Sequence, residues 1–272
     1  MSAINIKGPE RTEILDVHNG RIKLQVKIAG SGPALVYFHP AAGLYWDEFL
    51  DQLAETHTVY APELPGTSAG DPYAIKQVDN FADLLLIYEE ALNMLGLKQA
   101  IAVGQSLGGM IAVDLAAHFR DLFSRMVLLA PGGLWREDLP YKLLELYAAP
   151  PEEIPGYLFH DFSIPRAQAM LALPENPELI PKHIAASVWA LGCSGKFLWP
   201  FAEQGLAKRI HRITTPTLVV WGKNDVLVPV GYAELFKQGI KDCQLKVFDN
   251  CGHIPQIEKF EETTKLVKKF IV

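Results

Sequence analysis

Cysteine is scarce in this chain, and its scarcity excludes two kinds of architecture. The three present, Cys193, Cys243 and Cys251, are odd in number and lack metal-ligand spacing, so neither a disulfide framework nor a cysteine-based metal site is expected. A reducing, cytoplasmic compartment fits that usage. Basic residues are outnumbered: 25 Lys and Arg against 31 Asp and Glu leave a net charge of −6. No basic run is interleaved with aromatics, which argues against nucleic acid as a partner. No uncharged apolar run reaches the roughly 18 residues that a membrane span needs, and the stretch from Met1 to Lys7 lacks the apolar core of a leader peptide. The Gly-x-Gly-x-x-Gly and Walker patterns are missing, and the histidines show no ligand spacing, so no cofactor and no metal are expected. Internal repeats and low-complexity tracts are also absent.

What is present is a large core and an alternation. The 272 residues are 49% hydrophobic and 21% charged, which suits a globular domain. Residues 13–18 and 21–28 flank Asn19-Gly20 and read as an antiparallel hairpin. Buried strands follow at 34–38, 58–61, 100–104 and 125–130, with helices near 45–55 and 78–95, the latter capped by Asp79 or Asn80 and ended by Gly96. Strand and helix resume at 217–221, 230–239, 244–248 and 258–270. That pattern marks a mostly parallel, eight-stranded sheet with helices on both faces. Residues 131–212 interrupt it: they are proline-rich, carry no convincing strand, and show several short helical runs, clearest at 141–147, 166–172 and 182–191. An all-helical insertion of this kind is expected to be a cap over a site, leaving 1–130 and 213–272 as one core.

The centre of the alternation is Gly104-Gln105-Ser106-Leu107-Gly108, a Gly-x-Ser-x-Gly at a strand-to-helix junction. Glycine on either side allows a sharp reversal that leaves a serine at the apex, in front of a helix N-terminus. Strands of a parallel sheet end at a common edge, so residues just beyond them converge. Asp225 follows the strand 217–221 and His253 follows 244–248. A serine hydroxyl needs an imidazole to take its proton, and the imidazole needs a buried carboxylate to orient it and balance its charge. Asp249, Glu137 and Asp138 compete as the acid, but Asp249 stands only four residues before His253, where it is expected to shape the turn. Cys251 reads as a packed small side chain, and His160 and His183 as surface residues of the cap.

These residues resemble the α/β-hydrolase superfamily over nearly the whole chain. Gly104–Gly109 is similar to that family's nucleophile elbow, Gly222-Lys223-Asn224-Asp225-Val226-Leu227-Val228-Pro229 to its acid loop, and Gly252-His253-Ile254-Pro255-Gln256-Ile257-Glu258 to its histidine loop. Glu63-Leu64-Pro65-Gly66 stands where the family commonly has Asp-x-Pro-Gly. The resemblance implies a capped Ser–His–Asp hydrolase with Ser106 as nucleophile, His253 as base and Asp225 as acid. By position, the backbone N–H groups of Ala41 and Leu107 form its oxyanion hole, each donor contributing roughly 3–4 kcal/mol of transition-state stabilisation. The chain departs from the family here: many relatives have His-Gly-x-Pro after the third strand, whereas this one has His39-Pro40-Ala41-Ala42-Gly43. Pro40 has no N–H to donate, and His39 is expected to brace the loop.

The expected substrate is a small hydrophobic or aromatic ester, cleaved through an acyl-enzyme on Ser106. The cap aromatics Phe159, Phe162, Trp189, Phe197, Trp199 and Phe201 suggest an apolar pocket, with Phe159, Phe162, Trp189 and Trp199 lining it and Tyr45 and Trp46 below. Lys196 is expected to be solvated. Size, cap and pattern also resemble the hydrolases that cleave vinylogous diketones, the meta-cleavage type. Many of those carry an aromatic residue after the catalytic histidine and a Gly-Gly-Pro-Gly type loop, where this chain has Ile254 and His39-Pro40-Ala41. A third reading is a non-enzymatic receptor of this fold that binds a small ligand. Monomer and dimer are both open.

Overall fold

A computed structural model of the chain describes residues 6–68 and 71–272; Met1 to Asn5 of the leader reading, and Ala69 and Gly70 of the loop after the fourth strand, lie outside that range. Eight strands form one sheet: β1 (Arg11–Val17), β2 (Ile22–Ala29), β3 (Ala34–Phe38), β4 (Thr58–Pro62), β5 (Ala100–Gln105), β6 (Phe123–Leu129), β7 (Thr217–Gly222) and β8 (Cys243–Phe248), in the spatial order β1-β2-β4-β3-β5-β6-β7-β8. β2 pairs antiparallel with β1 and β4, and every other pairing is parallel. The β1–β2 turn has φ of 56° at Asn19 and 74° at Gly20, closed by Arg21 N–H donating to His18 O, 3.3 Å. Positive φ at both central residues matches the right-handed twist of the flanking strands.

The sheet has a helical layer on each face, and the strands show why. In β3, Leu35 and Tyr37 belong to one apolar cluster, and Val36 and Phe38 to the other. β5 divides likewise, Ile101 and Val103 from Ala100 and Ala102, as does β7, Leu218 and Val220 from Val219 and Trp221. With side chains alternating between faces, a central strand must be apolar throughout. Helices α1 (Glu48–Ala54) and, near the C-terminus, Phe260–Phe270 cover one face; α2 (Phe81–Met94) and α3 (Leu107–His118) cover the other, joined there by Gly231–Gly239. Asn80 caps α2 in a reciprocal capping box with Asp83.

Between β6 and β7 the described chain contains no strand. It forms α4 (Leu143–Ala148), α5 (Ile154–Leu158), α6 (Pro165–Met170) and α7 (Ile180–Leu198), the helical cap, before the core resumes with α8 (Gly231–Gly239), α9 (Pro255–Glu258) and α10 (Phe260–Phe270). Pro155, Pro165 and Pro181 occupy the first turns of α5, α6 and α7, where their missing N–H is not needed. Two expectations are corrected, and the five-residue helix α5 is a further short run that the sequence does not single out. α7 continues through Gly192 and Gly195 to Leu198, because Cys193, Ser194, Phe197 and Leu198 are buried along its inner side. The last helix is broken at Lys259, whose φ of −120° and ψ of 51° separate α9 from α10. Among the described residues no helix is long and apolar enough to cross a membrane.

Candidate active site

Ser106 stands between β5 and α3 with φ 55° and ψ −116°. This sparsely populated conformation costs on the order of 1–3 kcal/mol and persists only where the surroundings impose it. They do: Ser106 N–H donates to Leu129 O (3.0 Å), while its carbonyl accepts from Met110 N–H (3.0 Å) and Gly132 N–H (3.1 Å). A Cβ at Gly104 would lie 2.4 Å from Gly108 O, and one at Gly108 only 1.9 Å from Phe38 O, so the elbow requires glycine at both. Although Ser106 is in the N-cap position of α3, its hydroxyl makes no capping bond. It is left available for chemistry.

Asp225 and His253 stand in the loops that follow neighbouring strands. Gly222 of β7 is in register with Phe248 of β8, so the loops that carry Asp225 and His253 leave the sheet side by side. Asp225 Oδ2 accepts from His253 Nδ1 (2.8 Å) and from Trp221 Nε1 (3.1 Å); Oδ1 accepts from the N–H groups of Leu227 (3.0 Å) and Val228 (2.9 Å). Asp225 is 6% exposed and His253 2%, so this is a buried carboxylate held by four donors. A carboxylate oxygen accepts, which places a proton on Nδ1, and in the neutral ring Nε2 is then the acceptor. Nε2 is buried and has no hydrogen-bond partner among the described residues. Gln105, the neighbour of Ser106, donates its side-chain amide to His253 O (3.3 Å) and ties the two loops together.

The competing acids are engaged at the surface. Asp249 pairs with Lys223 (2.7 Å), Asp138 pairs with Arg136, and Glu137 accepts from the Trp135 indole (3.0 Å). His39 braces its loop: Leu64 N–H donates to Nε2 (2.8 Å), so the ring proton is on Nδ1, which donates to Pro40 O (2.7 Å). Burial lowers the pKa of His39, and the bond to Pro40 opposes that shift. Phe38 is in register with Gly104, so residues 39–41 and 105–107 leave adjacent strands together. Gly43 N–H closes the loop onto Pro40 O (3.2 Å), and buried Ser194 of α7 donates to Ala41 O (2.9 Å). Burial pushes the Cys251 thiol well above its usual range. Among the described residues no group of three or more His, Cys, Asp or Glu side chains is placed to hold a metal ion.

The cap aromatics do not gather into one pocket. Phe159 is buried against Ile254 and Ile257, beside the histidine, with Phe162 stacked on it at 5.8 Å. Trp189 instead donates its N–H to Gly66 O (2.9 Å) and Pro72 O (3.0 Å), which turns its ring into an apolar groove of about 1020 Å³. That groove runs along α7 with Ile75, Ile184 and Val188, and neither Ser106, Asp225 nor His253 lines it. Trp199 and Phe201 are each 51% exposed, and Phe201 packs edge-on against Trp135. Trp46 joins the core over α1, its indole N–H on Asp51 (2.8 Å), rather than facing upward; Tyr45, next to it, is half-buried. Lys196 is not free in solvent, because its ammonium donates to Val78 O.

Two residues escaped the sequence reading. Tyr147 of α4 has a buried hydroxyl without a hydrogen-bond partner among the described residues, and it lies beside Ser194. Nothing in its local sequence distinguishes it. Glu258, the last residue of the histidine motif, is buried; its Oε1 accepts from the N–H groups of His160 and Asp161 (2.9 Å each) and its Oε2 from Gly252 N–H (2.6 Å). Burial raises the pKa of that carboxyl, and these backbone bonds oppose the rise. A glutamate five residues after the histidine, inside the same motif, was the available signal.

Fold and site together define a class: the chain belongs to the alpha/beta hydrolase family, whose sequence pattern matches residues 35–265. It is 27% identical over 267 residues to the 2-hydroxy-6-oxo-6-phenylhexa-2,4-dienoate hydrolase of Comamonas testosteroni, an alignment covering 89% of each chain. It is 28% identical over 296 residues to a 2-hydroxy-6-oxononadienedioate/2-hydroxy-6-oxononatrienedioate hydrolase of a Pseudomonas species, covering 100% of this chain and 99% of that one. The solved meta-cleavage product hydrolase of Pseudomonas fluorescens shares the fold, with a TM-score of 0.74, 21% identity and 97% of both chains covered. The chain is thus a serine enzyme of the α/β-hydrolase fold.

Proposed function

We propose that Ser106, His253 and Asp225 are nucleophile, base and acid, and that the protein hydrolyses the carbon–carbon bond beside a ketone in a small hydrophobic or aromatic dienoate. The observation that carries the chemistry is the buried Asp225–His253 pair, whose bare Nε2 lies in the loop tied to strained Ser106. The choice of bond rests on the activity named for the relatives, which here outweighs the ester expected from sequence.

In this reading Nε2 of His253 takes the Ser106 proton as Oγ attacks the ketone carbon. Asp225 stabilises the imidazolium, and the oxyanion is received by the N–H of Leu107, at the start of α3, and by that of Ala41. Collapse of the tetrahedral adduct breaks the C–C bond. This requires the keto tautomer, in which the enol proton has moved to the carbon beside the ketone; the electron pair of the departing carbon is then delocalised into the adjoining unsaturated 2-oxo acid, which receives the proton from His253. Water, deprotonated by the same nitrogen, then attacks the acyl-serine; the acyl–Oγ bond breaks and His253 returns the proton to Ser106, so one substrate and one water give two acids, the carboxylic acid of the acyl half and the unsaturated 2-oxo acid of the other. The same atoms cleave an ester, with an alkoxide leaving in place of carbon.

Ester hydrolysis remains the second reading, favoured by Ile254 and His39-Pro40-Ala41 where many C–C hydrolases have an aromatic residue and a glycine-rich loop. The test is steady-state turnover of a phenyl-substituted 2-hydroxy-6-oxo-dienoate and of p-nitrophenyl esters, with Ser106→Ala alongside. The proposal expects kcat/KM for the dienoate to exceed that for every ester by at least about tenfold. The reverse order establishes the esterase reading, and no turnover of either removes both.

A further inference from the structure

The histidine loop is not held by the core alone. His253 N–H donates to Leu158 O (2.9 Å), at the end of α5, and the preceding N–H, that of Gly252, donates to Glu258 Oε2 (2.6 Å). The other oxygen of Glu258 reaches into the cap, accepting from His160 and Asp161 N–H at 2.9 Å each. One buried carboxylate therefore bridges two chain segments almost a hundred residues apart. The contact is tight enough to dictate glycine at 252: a Cβ there would lie 2.7 Å from His160 N, 2.9 Å from Glu258 Oε2 and 2.9 Å from Leu158 O. An apolar seal flanks the bridge, with Phe159 packed on Ile254 and Ile257.

The N–H groups on both sides of Gly252 thus end on cap residue Leu158 or on the side chain that grips the cap, while the core holds the neighbouring carbonyls, Cys251 O by Asn224 N–H (2.9 Å) and His253 O by Gln105 (3.3 Å). His253 keeps Nδ1 on Asp225 through one 2.8 Å bond, while its Nε2 has no partner among the described residues. The ring's direction therefore depends on its backbone as well as on Asp225, and the N–H side of that backbone is held by this bridge. We propose that Glu258 is a positioning residue, which clasps the cap segment 158–161 to the histidine loop so that His253 is aimed at Ser106 only while that segment is docked. The cap near α5 is then part of the catalytic frame rather than a lid, and substrate access falls to other parts of the cap. This rests on the Ser106–His253–Asp225 reading.

Glu258→Gln tests it. The three donors meet two carboxylate oxygens, so an amide must turn its NH2 toward at least one N–H, and one arm of the clasp opens. Glu258→Asp keeps the charge but shortens the reach by one methylene, and serves if the amide variant folds poorly. The expected result for either is a fall in kcat of about 10–100-fold with KM changed less than about threefold. A second readout separates aim from general loosening. In proton NMR, the Nδ1 proton that His253 shares with Asp225 is expected far downfield, and in the variants it should shift or broaden. The Nδ1 proton of His39, on Pro40 O, is an internal control that should not move. Unchanged kcat in both variants, or equal broadening of the His39 and His253 signals, overturns the proposal. Retention of activity by His253→Ala would instead remove the underlying catalytic reading.

Discussion

Nδ1 of His253 lies 2.8 Å from Oδ2 of Asp225, and that oxygen is shared with the indole N–H of Trp221 at 3.1 Å. Asp225 is therefore held by a residue of its own strand as well as by His253. If the three residues act as a unit, Ser106→Ala should lose about six orders of magnitude in kcat, and His253→Ala nearly as much. Asp225→Asn should cost about 10⁴-fold, because an amide in that cage allows the wrong imidazole tautomer. Single-turnover assays on the three variants check the order. An Asp225→Asn enzyme with full activity would refute the assignment of the acid.

Gly108→Ala should abolish the elbow. Its methyl carbon would sit 1.9 Å from the carbonyl oxygen of Phe38 in the central strand β3, a separation backbone atoms cannot share. The expected outcome is loss of activity with a thermal midpoint lowered by many degrees. Circular dichroism melting together with an activity assay would show it, and a stable, active Gly108→Ala protein would be incompatible with this packing.

Much of this was legible beforehand, and the physical reason is chain locality. The elbow, the acid loop and the histidine loop each hold their signal within a few residues, and a parallel sheet brings strand ends to one edge. The cap was less legible. Its aromatics look alike in sequence, yet Trp189 turns outward because its N–H finds the carbonyls of residues 66 and 72, while Phe159 turns inward onto Ile257. Such choices depend on partners more than a hundred residues away in one case and almost a hundred in the other. The role of Glu258 is hidden from its own motif for the same reason, since its partners lie at 160 and 161.

Stability should depend on pH through Asp47. It caps α1 by accepting from Leu50 N–H (2.9 Å), but burial, with the charge of Asp51 adding to it, pushes its carboxyl up to about 7. A carboxyl raised in the folded state keeps its proton where the unfolded chain has lost it. Its contribution is complete below about pH 4 and is lost as the pH rises through about 7, at no more than about 1.4 kcal/mol per pH unit. Asp47→Asn retains the cap without the charge. Its thermal midpoint should exceed that of the parent above pH 7, with the gain fading toward pH 5; a gain independent of pH would contradict the account.

Arg209 should prove structural. Its guanidinium donates to Asp114 Oδ1 at 2.8 Å, and the Asp114 side chain is fully buried on α3. Burial pushes that carboxyl up, and Arg209 opposes the shift. Arg209→Met leaves the carboxylate with only the His118 ring, whose Nδ1 stands 3.6 Å from Oδ1, and should cost about 3 kcal/mol, the low end for a buried pair because the arginine is partly exposed. Adding Asp114→Leu should recover most of that loss in urea unfolding, and failure to recover it would assign the cost to packing instead.

The central claim is that Ser106 is a nucleophile activated by His253. Its most direct test is labelling with a fluorophosphonate, followed by mass spectrometry of the peptide that contains Ser106. The account predicts one stoichiometric adduct on Ser106 in the parent protein, none in Ser106→Ala, and slow labelling in His253→Ala. An unlabelled parent protein, or an adduct on another residue, would contradict it.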